Sequence, residues 1–152
     1  MTSMLEDRQE IEDVLIAYTH ALDQRDWAAL ERCFTPDATT YYGELGGSND
    51  NRDEIVDTCR QALEPIEASQ HLVSNLLIEV DGDSATATCY LNGLHATKGT
   101  PGGEVCTVFG TYRDRLTRTD EGWRIAFREL EIGWVDGNLA VMSGATAATK
   151  GE

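Results

Sequence analysis

The 152-residue chain is short of positive charge: 12 Lys+Arg stand against 27 Asp+Glu, a formal net charge of −15. Phosphate backbones and anionic lipid heads repel a surface this acidic, so neither a nucleic-acid partner nor a membrane partner is expected. Long apolar runs are missing too. The longest clean stretches are pieces such as Leu76-Leu77-Ile78, far below the ~18–20 residues of a membrane span. Met1 to Glu12 carries acids and polar residues rather than a basic and then an apolar region, so no signal peptide is expected. The four cysteines, Cys33, Cys59, Cys89 and Cys106, form no CxxC pair and no metal-site spacing with histidine; they read as reduced, buried thiols of a cytoplasmic protein. HExxH, GxSxG and EF-hand patterns are absent. The glycines at 43, 46 and 47 and at 99, 102 and 103 lack the strand–turn–helix setting and the Lys-Ser/Thr of a phosphate loop. No metal and no cofactor is implied.

What is present is an ordered change of pattern along one domain, residues 1–152, with a core over about 5–135 and a C-terminal tail over 136–152 that is small and polar after Met142. At this length a chain hides roughly two thirds of its unfolded surface, enough for a real core. Ile11, Val14, Leu15, Tyr18 and Leu22 recur at three- and four-residue steps, predicting a helix over 5–23 with one apolar stripe. Asp26 then reads as the N-cap of a short helix over 27–33, ended by Thr35-Pro36. A short strand is expected over 39–42, a Gly/Ser/Asn loop over 43–51, and a third helix over 53–63 with Ile55, Val56, Cys59 and Leu63 inward. Strands follow at 71–80, 84–95, 104–118 and 123–134, turned at Asp81-Gly82-Asp83 and Asp120-Glu121-Gly122. Helices first and an antiparallel meander after them predict an α+β fold, with the helices packed on one face of a strongly curved sheet. Such a sheet leaves an apolar pocket between the helices and its concave face. Tyr18, Trp27, Phe34, Tyr41 and Tyr42 crowd the first third of the chain, and they either line that mouth or belong to the core.

Histidine is scarce, with three in the chain, so each can be weighed. His20 falls on the polar side of the first helix. His71 opens a strand in His71-Leu72-Val73-Ser74-Asn75, where alternation places His71, Val73 and Asn75 on one face. A strand-borne imidazole beside an amide is a general-base candidate; the other reading is a structural histidine. His95, near the end of the next strand, either shares the cavity or faces out. Asp23 ends the first helix, where the macrodipole disfavours a carboxylate. It is either a surface acid or one held by a partner, and beside His71 it would fix the imidazole tautomer and stabilise the imidazolium. Alternation puts Arg128 with Arg124 and Ala126, opposite Ile125 and Phe127. It can clamp a substrate oxygen or halide, or pair with Glu129 or Asp114.

Taken together, several stretches carry a resemblance. Asp23-Gln24-Arg25-Asp26-Trp27, Leu30, Phe34-Thr35-Pro36-Asp37-Ala38, His71-Leu72-Val73-Ser74-Asn75, Gly110-Thr111-Tyr112-Arg113-Asp114 and Gly122-Trp123-Arg124-Ile125, with Arg128 beyond, span about residues 5–135. The sequence resembles the SnoaL-like branch of the nuclear-transport-factor-2-like superfamily. It looks most like the group containing scytalone dehydratase and hexachlorocyclohexane dehydrochlorinase. The fold this implies is a cone-shaped α+β barrel, a curved antiparallel sheet wrapped around three N-terminal helices. The resemblance places Asp23 and His71 on the family's catalytic dyad and Arg128 on the dehydrochlorinase's strand arginine. Tyr42 and His95 fall near the dehydratase's water-polarising tyrosine and second histidine. The chain departs from the pattern at Tyr18, where the dehydrochlorinase has lysine, and at Leu22, where the dehydratase has tyrosine.

The expected function is therefore a cofactor-independent lyase, dehydratase or cyclase working on a small apolar molecule of polyketide, terpenoid or aromatic type. Asp23, His71 and Arg128 are the catalytic candidates; Tyr18, Trp27, Tyr42, Asn75 and His95 are the substrate-binding ones. A non-catalytic ligand-binding or assembly subunit, like the small subunits of ring-hydroxylating oxygenases, is the alternative, and an epoxide hydrolase-type hydrolase a further one. The open outer face of a curled sheet predicts a homo-oligomer, and the resemblance favours a trimer over a dimer.

Overall fold

The computed structural model describes residues 2–143; the expected polar tail lies largely outside the described residues. Helix α1 (Met4–Gln24) starts at a capping box, in which the Ser3 hydroxyl accepts from the Glu6 N–H and the Glu6 carboxylate accepts from the Ser3 N–H. Its stripe of Ile11, Leu15, Tyr18 and Leu22 is buried against the sheet. The helix stops where Arg25 turns left-handed. Asp26 then caps α2 (Trp27–Glu31), accepting from the Ala29 N–H, as its position next to Trp27 predicts.

β1 (Phe34–Tyr41) begins earlier than expected, with Pro36 inside it. Its register against the last strand slips between Phe34 and Thr39, so the segment around Pro36 stands clear of the ladder that a proline cannot complete. The expected loop over 43–51 holds a single helical turn, α3 (Gly43–Gly46), and a two-residue strand, β2 (Ser48–Asn49). α4 (Arg52–Leu63) buries Ile55, Val56, Cys59 and Leu63, the expected face. Four long strands complete the fold: β3 (Ala68–Asp81), β4 (Ser84–Ala96), β5 (Val105–Thr119) and β6 (Gly122–Gly137).

The sheet order is β2-β1-β6-β5-β4-β3. The meander is antiparallel, as expected, but β1 joins β6 in parallel, which makes the sheet mixed. With β2 at one edge and β3 at the other, it curves without closing into a barrel. Three irregularities bend it. β3 carries an extra residue between Ser74 and Leu77, and β6 carries extras opposite Arg115/Leu116 and Phe109/Gly110. Each bulge increases local twist and resets which side chains point inward. Past β6, a 3₁₀ turn (Leu139–Val141) buries Val141 and sets Met142 against the core. That part of the expected tail is thus packed, because Asn138 holds it through the Pro101 and Gly103 carbonyls.

Candidate active site

Between α1, α4 and the concave face of the sheet lies a cavity of about 100 Å³. Its walls are mostly apolar, formed in part by Leu22, Leu91, Val108 and Leu130, with Leu45, Ala62 and Met142 toward the surface. His71 faces it from β3. The imidazole Nδ1 lies 2.6 Å from Asp23 Oδ1, and the His71 backbone N–H donates to Asp23 Oδ2 at 2.8 Å. Ionised, the carboxylate can only accept, so Nδ1 bears the proton and Nε2 is left as the basic lone pair. Asp23 also accepts from the Ser69 hydroxyl at 3.1 Å. Ser69 in turn accepts from Arg25 Nη1 at 2.8 Å, and that guanidinium is tied to the Leu22 and Ile66 carbonyls. Burial alone would push the Asp23 carboxyl up. The His71 ring and backbone N–H outweigh it and hold the group below the usual carboxylate range.

His95 stands beside the dyad on β4, its ring edge-on to His71 at 5.1 Å. Its Nδ1 lies 3.3 Å from the Cys106 carbonyl, an acceptor that fixes the proton on Nδ1. Burial, followed by the neighbouring His71, pushes His95 down to about 4, so at neutral pH it is uncharged. Gly93 pairs with His71 across the strands, and a Cβ there would come within 3.3 Å of both rings. The glycine makes room for two imidazoles on one face.

The opposite wall is phenolic. The hydroxyls of Tyr18 and Tyr42 lie 2.9 Å apart, and the Cys59 thiol points at the Tyr42 oxygen at 3.9 Å. Burial pushes both phenols well above their ordinary range and the Cys59 thiol up to about 11. All three are therefore neutral donors at physiological pH, and the tyrosine pair has one O–H to spare for an oxygen in the cavity. Gly46 makes this placement possible, since a Cβ there would sit 2.5 Å from the Tyr42 Cβ.

The structure thus brings four expected residues, His71, Tyr18, Tyr42 and His95, together around one cavity, with Asp23 held behind His71. Three others are corrected. Asn75 is exposed and left-handed (φ 54°) at the β3 bulge, which breaks the alternation that would have placed it beside His71. Trp27 bridges α2 and α4 away from the cavity, with its indole N–H on Glu64 and Arg60 over its ring. Arg128 lies behind the cavity, fully buried. The bulge in β6 turns it inward after Ile125. Its Nε and Nη2 donate to Asp114 at 2.7 and 2.9 Å, and its guanidinium is clamped between the Tyr18 and Tyr112 rings. Of the readings open for Arg128, pairing with Asp114 is the one the structure bears out. Burial opposes the charge on Arg128, but Asp114 keeps it protonated. Tyr41 is exposed, and Phe34 packs edge-on against Tyr18 in the core; His20 is exposed. Gly93, Ser69 and Met142 belong to the site or its support without any spacing in the sequence to mark them, whereas Cys59, expected on the inward face of its helix, reaches the Tyr42 hydroxyl. Among the described residues, no group of three or more His, Cys, Asp or Glu is placed to hold a metal ion, and no helix is long and apolar enough to cross a membrane.

Comparison with known proteins agrees with this geometry at the level of fold. A family model for a SnoaL-like domain matches residues 3–129. A curated relative, an uncharacterised protein of Mycobacterium tuberculosis (strain ATCC 25618 / H37Rv), is 34% identical over 126 residues, which cover 82% of this chain and 84% of the relative. Among solved structures, a candidate scytalone dehydratase from Novosphingobium aromaticivorans DSM 12444 superposes with a TM-score of 0.80 at 21% identity, over 88% of this chain and 89% of its own. A hexachlorocyclohexane dehydrochlorinase superposes with a TM-score of 0.79 at 18% identity, over 88% and 90%. At these identities the two structures show a shared fold.

Proposed function

The chain belongs to the SnoaL-like domain family, and from that premise we propose that it is a cofactor-independent lyase, dehydratase or cyclase acting on a compact, largely apolar molecule. The observation that carries the reading is the dyad. A basic Nε2 faces an apolar cavity while a carboxylate holds Nδ1 at 2.6 Å. That is the arrangement of a general base whose conjugate acid is stabilised as it forms. Against a non-catalytic assembly subunit stands the bond itself, because the imidazole is tied to a carboxylate and to a cavity rather than packed away.

In a dehydration, His71 Nε2 takes a proton from carbon. The C–H electron pair becomes the new C=C bond, and the adjacent C–O bond breaks. Asp23 stabilises the imidazolium, which returns its proton to the departing hydroxide, so that water leaves. The Tyr18/Tyr42 pair, neutral throughout, donates a hydrogen bond to the oxygen on which charge gathers. In a cyclisation, the same proton abstraction generates an enolate whose oxygen rests on the same pair. Its carbon then attacks a carbonyl carbon of the same molecule. The ring C–C bond forms as that C=O electron pair moves to oxygen, and the resulting alkoxide takes the proton back from the His71 imidazolium. Arg128 is given no direct part: its Nε and Nη2 are taken by Asp114, its Nη1 is buried without a partner, and it serves by holding Tyr18 and Tyr112 in place.

The test is a turnover screen over β-hydroxy and enolisable carbonyl compounds with His71→Ala and Asp23→Asn. Loss of ~10²–10⁴ in kcat in each variant is expected, and turnover within about tenfold of wild type would reject the dyad. Exposed Leu72, Phe109 and Trp134 on the outer face of the sheet support self-association, with a trimer as our reading, and the four buried free thiols fit a reducing cytoplasm.

A further inference from the structure

On the other side of Phe34 from the cavity, a second cleft of about 650 Å³ opens between the end of α2, the start of β1, the first turn of α4 and the β5–β6 hairpin. Three arginines line it, Arg32, Arg52 and Arg124, in a chain that has only 12 basic residues. The two best-matched arginines lie elsewhere: Arg118 and Arg128 grip Asp7 and Asp114 at 2.7–2.9 Å. In the cleft the pairing is looser. Arg52 reaches Glu31 at 3.4 Å and Arg124 reaches Glu121 only at 3.9 Å. Among the described residues Arg32 makes no ion pair. Arg124 Nη1 also donates to the Trp123 carbonyl at 2.8 Å and Arg52 Nη1 to the Phe34 carbonyl at 3.4 Å. Charge-assisted N–H···O bonds run to ~2.7–2.9 Å, so no carboxylate closes on any of the three forks at that distance. Three exposed acids, Glu31, Asp120 and Glu121, line the same cleft and would have to swing aside for an anion. Deeper in the wall, the Thr35 hydroxyl and the Arg52 Nε–H are buried without a partner, and Thr35 as a whole is 6% exposed. Among the described residues, one other buried side-chain donor lacks a partner, Arg128 Nη1 outside the cleft; two of the three therefore fall in this wall, where such groups are normally satisfied.

We propose that this cleft is an oxyanion-binding site, taking a small carboxylate or phosphate monoester on the Arg32, Arg52 and Arg124 guanidiniums and the Thr35 hydroxyl. Planar forks of this kind suit either anion, because both offer paired oxygens to parallel N–H groups. The apolar neighbours Phe34 and Pro36 admit a ligand with an apolar body behind its charged head. The site is independent of the dyad, although the Phe34 ring that backs it lies 5.8 Å from the Tyr18 ring.

Isothermal titration calorimetry with inorganic phosphate and, separately, with benzoate tests the proposal, at an ionic strength held constant with chloride. Saturable one-to-one binding of at least one of them is expected below about 10 mM. Phosphate alone would identify a phosphate ester as the ligand class, and benzoate alone a carboxylate. Arg32→Gln, at an exposed position, and Arg124→Gln are each expected to weaken binding by about tenfold, as for a lost charge-assisted pair, with Thr35→Val weaker in effect. His71→Ala is expected to bind unchanged. No saturable uptake of either anion overturns the site, as does affinity indifferent to both arginine variants. Affinity abolished by His71→Ala places the anion in the dyad cavity and overturns it equally.

Discussion

Asp23 stands in the last turn of α1, where the helix dipole costs a carboxylate a few tenths to ~1 kcal/mol and where no basic residue of that turn compensates. Three donors from β3 do so instead: the His71 ring, the His71 backbone and the Ser69 hydroxyl. Because Asp23 titrates below its ordinary value when folded, the dyad's contribution to stability is complete above the unfolded carboxylate pKa. It is lost as pH falls through the folded one. His95 behaves differently. Its folded value of about 4 lies below the ~6.5 of an unfolded histidine, so between those values the unfolded state binds the extra proton. Stability should decline from pH 6.5 to pH 4 by on the order of 3 kcal/mol from this one group. Urea unfolding across that range is expected to show the slope in wild type and a shallower one in His95→Gln. An identical slope in the variant would contradict the neutral, buried imidazole.

At the scale of elements, the strand bulges decide what faces the cavity. At the β3 bulge Asn75 adopts φ 54°, a conformation Asn and Gly tolerate and a β-branched residue does not. Asn75→Gly is expected to leave thermal stability nearly unchanged, and Asn75→Val to cost ~1–2 kcal/mol, read as a lowered Tm. Equal Tm values for the two would show that the bulge is not what places this residue outside. The same irregularities mark the limit of what the sequence tells. Helix periodicity, the Asp26 cap and the two acidic-glycine turns are local signals, and α1, α2, α4 and the meander follow from them. Asp23, His71 and His95 sit clear of any bulge on their own elements, and the structure selects among the readings left open for their placement: Asp23 is held by His71, and both imidazoles line the cavity. Asn75 and Arg128 lie at or beyond a bulge, where one extra residue exchanges the faces and simple alternation assigns the wrong one. The parallel pairing of β1 with β6 is a long-range contact with no local signature. The Tyr18–Tyr42 contact depends on α3 folding back at Gly46, in a stretch that reads as loop.

The whole molecule leaves a cross-strand row open on the outer face of the sheet. Leu72, Asn92, Phe109 and Trp134 are paired in succession across β3, β4, β5 and β6. Leu72 and Trp134 are 51% and 70% exposed, with Tyr90 and Leu94 beside them. A contiguous apolar patch of this kind is normally covered. Multi-angle light scattering at micromolar concentration is expected to give a trimer for wild type and a smaller species for Trp134→Glu; a monomeric wild type would contradict self-association through this face. The proposed chemistry requires His71 Nε2 to act as a base toward the apolar cavity. The most direct measurement is deuterium incorporation from D₂O into a panel of small enolisable ketones, followed by mass spectrometry with wild type, Asp23→Asn and His71→Ala. Exchange at the acidic carbon of at least one compound, slowed by ~10²–10⁴ in both variants, is the predicted result. Exchange that proceeds equally well without the imidazole, or that no compound undergoes, would contradict it.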